Sequence, residues 1–255
     1  MTARDAGMLL GVPVDRKSLE TVTGEAIAAV ERRGPPVVFA CANPHSLVTA
    51  QKDATFRAAL NKASLVVADG VGVTLMAKVA GVKVGPRITG TDYFLSVMAA
   101  LEKHGGAKVF FYGSSPQVLA RISERMQREL PNVRLCGVLS PPFNRWSAEA
   151  NSAMLETING ADPDVLWVGM TAPKQEKWVD ENRHRLRATV IGSIGAVFDF
   201  YAGTNPRAPR WICKMGIEWL YRLAKEPGRM WRRTLVSAPK FVALVVVRHV
   251  LGIGA

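Results

Sequence analysis

Along the first two hundred residues, short apolar runs alternate with longer segments of helical spacing. Pro36 to Ala42 (PVVFACA) is a continuous apolar run behind Gly34-Pro35, which predicts a buried strand. Leu65 to Ala68, Lys108 to Tyr112, Val133 to Val138, Val165 to Met170 and Thr189 to Ile194 predict five more. Between them, Ser46 to Asn61 repeats apolar residues at Leu47, Ala50, Phe56 and Leu60, and so predicts a helix. Helices are also predicted over Val71 to Val79, Asp92 to Lys103, Pro116 to about Leu130, Ala148 to Ile158 and Lys174 to Asn182. Asp92 sits where a helix N-terminus favours an acid.

Strand–helix alternation of this kind implies an α/β fold, a mostly parallel sheet with helices on both faces. Ligands of such sheets bind beyond the carboxyl ends of the strands. The residues at those ends are Asn43, Asp69, Gly113-Ser114-Ser115, Gly169 to Gln175 and Gly195 to Asp199.

After residue 205 the pattern changes. Arg210 to Glu226 predicts a helix with Trp211, Met215, Trp219 and Leu223 at every fourth position, ended by Pro227-Gly228. Arg229 to Val236 and Lys240 to Leu251 predict two further short helices divided by Pro239. The expected organisation is a catalytic core over 1–205 and a helical C-terminal appendage over 206–255.

Charge sharpens that division. The net charge is +12, and residues Pro206 to Ala255 hold ten Lys or Arg against two Glu, so about two thirds of the excess lies in this last fifth. Arg222, Arg229, Arg232 and Arg233 alternate with Trp211, Trp219, Tyr221 and Trp231. Basic and aromatic residues together suit an anionic membrane surface, and they also suit single-stranded nucleic acid.

Composition narrows the classes. Apolar residues make up 48% of the chain, enough for a full core. Cys41, Cys136 and Cys213 are scattered and form no CxxC pair, so neither a zinc site nor a disulfide framework is favoured and a reducing compartment fits. Met8 to Val14 is interrupted by Pro13 and followed by Asp15 and Arg16, unlike a signal peptide. The run Phe241 to Val247 falls far short of the roughly 20 residues of a spanning helix. The expectation is a soluble or peripheral protein.

Asp69, in VVADGVG, follows an apolar strand directly. It has two readings, a general base at the crevice or an N-cap for the following helix. Gly113-Ser114-Ser115 could cradle a phosphate at a helix start, though any strand-to-helix turn favours these residues. Asp162-Pro163-Asp164 matches a metal-binding DxD, but it precedes a strand, which favours a turn. His45, His104, His184 and His249 show no metal-ligand spacing, and no complete GxGxxG opens the chain, which removes a nicotinamide-dependent oxidoreductase.

Several segments together resemble the WecG/TagA/CpsF family of bacterial glycosyltransferases. They are CANPHS around Asn43, ADGVGV around Asp69, RITGTDYF from Arg87, VFFYGSSPQVL from Val109, GMTAPKQEKW from Gly169, GAVFDFYAG from Gly195 and APRWICKMGIEWLYRLAKEPGRMWRR from Ala208. The resemblance covers about residues 10 to 235 in order and spacing. It implies a Rossmann-like core and an inverting transferase needing no metal or other cofactor. It implies a UDP-sugar donor and a polyprenyl-diphosphate-linked sugar as acceptor. It places the protein peripherally at the cytoplasmic face of the membrane, with a homo-oligomer as an open option. The product would be cell-wall polymer, capsule or exopolysaccharide. By position, the resemblance makes Asp69 the general base and puts Asn43, Arg87 and Gln175 in the substrate pocket. Asp199 and Phe143 are implied to contact the nucleotide, and Arg222, Arg229, Arg232 and Arg233 to meet the lipid diphosphate or headgroups. Where the family often has Thr two residues before the Asn, this chain has Cys41, a weaker hydrogen-bond donor that bears on the choice of donor sugar. A nucleic-acid-binding protein using the tail is the other reading; it explains the tail and leaves the strand-end residues unexplained.

Overall fold

The computed structural model describes residues 4–205, 208–209, 212 and 218–253. The chain opens with an antiparallel hairpin, β1 (Ala6–Leu9) and β2 (Val12–Asp15), and then α1 (Leu19–Arg32). The six-stranded sheet is built from β3 (Val37–Ala42), β4 (Leu65–Ala68), β5 (Lys108–Gly113), β6 (Arg134–Leu139), β7 (Val165–Gly169) and β8 (Val190–Ser193). Their order is β4-β3-β8-β7-β5-β6, and every pairing is parallel. This is the Rossmann-like α/β class the sequence predicts.

Strand residues alternate between two apolar layers, as the twofold pleat demands. Val38, Ala40, Phe110, Tyr112, Leu166 and Val168 face one layer. Phe39, Val109, Phe111, Val165 and Trp167 face the other. The first layer is covered by α2 (Pro44–Lys52), α3 (Ala54–Lys62), α4 (Val71–Val79), α7 (Ala148–Gly160) and α8 (Lys174–Asn182). The second is covered by α1, α5 (Gly90–His104), α6 (Pro116–Glu129) and α9 (Val197–Tyr201).

Three local outcomes differ from the sequence pattern. No element is predicted before Pro36, yet the hairpin and α1 form there and both pack on the core. The predicted helix Ser46 to Asn61 is two helices, because Asp53 leaves helical geometry at φ −122° and its carboxylate caps α3 through Phe56 N–H at 3.0 Å. Pro239 does not divide the tail. It sits in the first turn of α12 (Ala238–Val245), which runs on directly from a π-helical stretch, and the helix continues through it. Before it come α10 (Glu218–Lys225), α11 (Pro227–Trp231) and a π-helical stretch, Arg232–Ser237; a second π-helical stretch, Val246–Val250, follows. Of the predicted helix Arg210 to Glu226, the residues Arg210, Trp211, Cys213 and Met215 lie outside the described set, as does the side chain of Arg229.

The tail is packed into the core. Phe241 and Val245 are fully buried with Leu47, Ala50 and Leu10 in the first apolar layer. His249 Nε2 accepts from Leu10 N–H at 3.2 Å, and Arg248 bonds Gln51. At the other end of the layer the hairpin is held by Asp15, which is 1% exposed. Its carboxylate pairs with Arg4 at 2.7 and 3.0 Å and accepts Val66 N–H of β4 at 2.6 Å. Removing it would leave Arg4 without its carboxylate and that buried N–H unpaired. Asp15→Ala is therefore expected to lower the unfolding free energy by about 3 kcal/mol, seen as an earlier urea midpoint; a loss below about 1 kcal/mol would show that the hairpin is held by packing alone.

Candidate active site

The carboxyl ends of β3, β4, β7 and β8 open into one cavity of about 560 Å³, roofed by α10, α11, the Arg232–Ser237 stretch and α12. Cys41, Asn43, Asp69, Arg87, Gln175, Arg222 and Arg233 all line it. Seven residues singled out in the sequence, spread over almost two hundred positions, thus share one cavity.

Local backbone explains how each arrives. Asn43 is the N-cap of α2: its Oδ1 accepts from Ser46 N–H at 2.9 Å while Ser46 Oγ accepts from Asn43 N–H at 2.8 Å. Its side-chain carbonyl is committed to structure, leaving the amide NH₂ for the cavity. Asp69 follows β4, its N–H held by Ala42 C=O at 2.8 Å. It does not cap α4. That position belongs to Gly70, at φ 106°, and no side chain caps this helix. Of the two sequence readings of Asp69, the N-cap is removed. Ile88 N–H bonds Ala68 C=O at 3.0 Å and draws Arg87 to the same strand end.

Withdrawal from water dominates the electrostatics. Burial pushes Asp69 up to about 6, and the nearby Glu218 carboxylate adds to the rise, opposed by Arg222 and Arg87. Burial and then the Asp69 charge raise the Cys41 thiol well above its ordinary range, so it stays protonated. Burial pushes Glu176 up to about 7, against the hydrogen bond that Gln175 Nε2 donates to its Oε1 at 2.8 Å. Burial, then the charge of Arg233, lowers His45, whose Nδ1 lies 2.8 Å from Ser237 Oγ of the tail.

The cavity concentrates unpaired polar atoms. Among the described residues, Gln175 Oε1, Glu176 Oε2, and Nε and Nη2 of Arg222 are buried without a hydrogen-bond partner. Native proteins leave few such groups, and each signals a strained site or an absent ligand. Arg222 also stacks 5.2 Å from the Phe200 ring centroid, which fixes its guanidinium plane. A fixed guanidinium with Nε and Nη2 unpaired is a receptor for an anion.

Other candidates lie elsewhere. Arg232 is exposed, 5.2 Å from the Trp231 ring centroid, and does not line the cavity. Arg229 falls on α11. Phe143 is 82% exposed on the loop before α7, outside the cavity. Its carbonyl accepts from Lys174 Nζ at 3.3 Å, and Lys174 lies 4.0 Å over the Trp146 ring. Asp199 is on α9 among Val197 and Phe200, which do line the cavity; its own carbonyl closes the turn to Thr204 and Asn205. Ser114 and Ser115 lie off the cavity too, Ser115 capping α6 through Val118 N–H at 3.3 Å.

Asp162 and Asp164 stand at the opposite, amino end of the sheet. Asp162 pairs with Lys108 Nζ at 2.6 Å, and Asp164 accepts Lys108 N–H at 2.8 Å and Arg33 at 3.2 Å. They are turn and strand-end ties. Among the described residues, no three His, Cys, Asp or Glu converge on a possible metal site.

Sequence reasoning missed Glu176 and Glu218, two carboxylates facing the cavity. Glu176 stands inside the quoted PKQE string, where Gln175 alone drew notice. Glu218 stands inside the quoted string from Ala208, but only the folded tail brings it to Asp69. No described helix is long and apolar enough to cross a membrane.

The chain matches known proteins over about four fifths of its length. One relative from Bacillus spizizenii (strain ATCC 23059 / NRRL B-14472 / W23), an N-acetylglucosaminyldiphosphoundecaprenol N-acetyl-beta-D-mannosaminyltransferase, is 31% identical over 205 residues, covering 80% of this chain and 77% of its own. A protein of the same name from Bacillus subtilis (strain 168) is 29% identical over 212 residues, covering 83% and 79%. The family model for the glycosyl transferase WecG/TagA/CpsF family matches residues 8–252, taking in the cavity's strand ends and its helical roof, and the chain belongs to that family.

Proposed function

We propose that this protein is an inverting, metal-independent glycosyltransferase that moves a hexose or N-acetylhexosamine from a UDP-sugar to a polyprenyl-diphosphate-linked sugar, peripherally at the cytoplasmic membrane face, in cell-wall polymer synthesis. N-acetylmannosamine onto N-acetylglucosaminyl diphosphoundecaprenol is the version named for the two relatives. One observation carries the reading. One cavity holds a carboxylate free of any capping duty, Asp69, together with the Arg222 guanidinium, whose Nε and Nη2 are buried without a partner.

The chemistry follows from those groups. The acceptor hydroxyl attacks the anomeric carbon from the face opposite the diphosphate. Its proton passes to the Asp69 carboxylate, the new C–O bond forms, and the bond to the diphosphate oxygen breaks. UDP departs with the electron pair. A base near pH 6 is ionised at neutral pH yet basic enough to accept a proton in the transition state. Arg222, Arg87 and Arg233 supply positive charge where the leaving diphosphate gains negative charge. Asn43 and Gln175 offer amide groups for sugar hydroxyls, and the exposed Phe143 ring offers a stacking face for uracil.

The direct test is UDP release from purified full-length protein given a UDP-N-acetylhexosamine and a short-chain lipid-diphosphate N-acetylglucosamine. Turnover absent with every donor, or liposome indifference combined with tight oligonucleotide binding, would favour the nucleic-acid reading. Asp69→Asn should cut kcat by about 10²- to 10⁴-fold, with UDP retention on a binding assay little changed; near-normal turnover removes Asp69 as the base. The same variant should unfold later. The folded carboxyl titrates at about 6 against an ordinary 3.8, so its charge opposes folding as pH rises from about 4 to 6. At pH 7 removing it should return up to about 3 kcal/mol, read as a higher Tm.

Because the base must be ionised, kcat/KM should fall as pH drops through about 6, with a slope of one proton. An acidic limb centred near 4 instead would mean that Asp69 is solvated during turnover. Arg222→Ala should lower kcat/KM by about a hundredfold, and Arg222→Lys should recover only part, since an ammonium cannot reproduce the stacked, planar guanidinium. Equal activity of the alanine variant would remove this arginine from the reaction.

A further inference from the structure

Helix α4 buries Val73, Met76 and Ala77 and turns Val71, Leu75 and Val79 to solvent, at 43, 57 and 52% exposure. The exposed three recur every fourth residue and form one apolar stripe along the helix. Beside it runs an open groove of about 780 Å³, lined by Lys78, Lys83, Arg16 and Arg87 among others. Arg16 is already paired with Asp5 at 3.0 Å. Neither Lys78 nor Lys83 forms an ion pair with a carboxylate among the described residues.

The stripe and groove are continuous with the active-site cavity. Arg87 lines both the groove and the cavity. Val71, the first residue of the stripe, lines the cavity, as does Val242 of α12, itself 44% exposed. Helix α12 packs directly against α4. An apolar band flanked by uncompensated lysines therefore meets the rim of the cavity, on a helix that belongs to the core and not to the tail.

We propose that the α4 stripe and its lysine groove are a bilayer-docking face that sets the cavity rim against anionic phospholipid. This rests on the reading that the acceptor is lipid-linked. The chemistry fits one occupant. Aliphatic side chains enter the boundary between headgroups and acyl chains, while ammonium groups stay at the level of the lipid phosphates. The face offers no aromatic ring for stacking bases, as single-stranded nucleic acid would use. Three valine- and leucine-sized side chains are too few to bind a membrane alone, so the lysines must contribute, and docking should weaken with salt.

The test uses the full chain and two double variants, Leu75→Glu with Val79→Glu, and Lys78→Glu with Lys83→Glu. Co-sedimentation is measured with vesicles of equal phosphatidylglycerol and phosphatidylcholine, and with phosphatidylcholine alone. Both variants should lose about tenfold or more in affinity for the anionic vesicles, with the Tm kept. The parent should bind phosphatidylcholine weakly. UDP release with a water-soluble short-chain acceptor should be unchanged, because none of the four residues lines the cavity. Parental vesicle binding in both variants overturns the proposal. So does a variant that instead changes from dimer to monomer in sedimentation velocity with vesicle binding intact, which would make the face a self-interface. If the parent transfers sugar to no lipid diphosphate while vesicle binding still depends on α4, the functional reading fails and the docking face stands.

Discussion

The burial of Phe241 and Val245 against the first apolar layer is the interaction on which the rest of the site depends. Without it the strand ends would form an open crevice, like that of any parallel sheet. With it, α10 to α12 become a roof, and the crevice becomes a cavity. Two fully buried side chains of this size contribute on the order of 3–6 kcal/mol of apolar transfer free energy. That is ample to hold a basic segment over a site that already contains Arg87. The secondary ties, His249 to Leu10 and Arg248 to Gln51, fix the register of the roof against the hairpin and α2.

Enclosure then sets the electrostatics. Asp69 rises to about 6 and Glu176 to about 7 chiefly because the roof removes water. The same desolvation strengthens whatever attraction the arginines exert on a bound diphosphate. Pre-organisation here has a visible cost. Among the described residues, four of the seven buried atoms without partners belong to Gln175, Glu176 and Arg222, where a stability-optimised fold would have paired them. Only part of the arginine set predicted from the tail shares that role: Arg222 and Arg233 face the cavity, and Arg232 faces outward over Trp231.

Much of this was legible in the chain. The apolar runs located all six strands of the parallel sheet to within a residue or so, because doubly buried strands need no polar alternation. The strand-end rule then led to Asn43, Asp69 and Gln175. What the pattern could not show was long-range or mixed in signal. The hairpin is anchored by Asp15, an acid in a sequence position that reads as polar and exposed, whose partners Arg4 and Val66 lie 11 and 51 residues away. Asp53 reads as one more polar residue in a helical period, yet it ends one helix and caps the next. Glu218 gains its meaning only through the fold of the tail. Charge counting marked the tail as a cationic segment but could not separate arginines that line the cavity from those that coat its outside.

Cys41 shows how the enclosure bears on specificity. Its thiol lies within the cavity wall, where burial and the Asp69 charge keep it protonated. The start of α5 lies beside it at Gly90. In that position it presents a polarizable, weakly donating surface where a hydroxyl would present a firm donor. A sugar hydroxyl facing it gains little, so discrimination under the proposed reaction must come from the neighbours with strong unmet demand. Those are the unpaired oxygens of Gln175 and Glu176. A site with orphaned buried acceptors rejects a substrate that cannot pair them far more strongly than an apolar wall rejects one extra atom. Under the proposed reaction, the donor sugar would be read at the α8 end of the cavity, and the thiol would tolerate what that end selects.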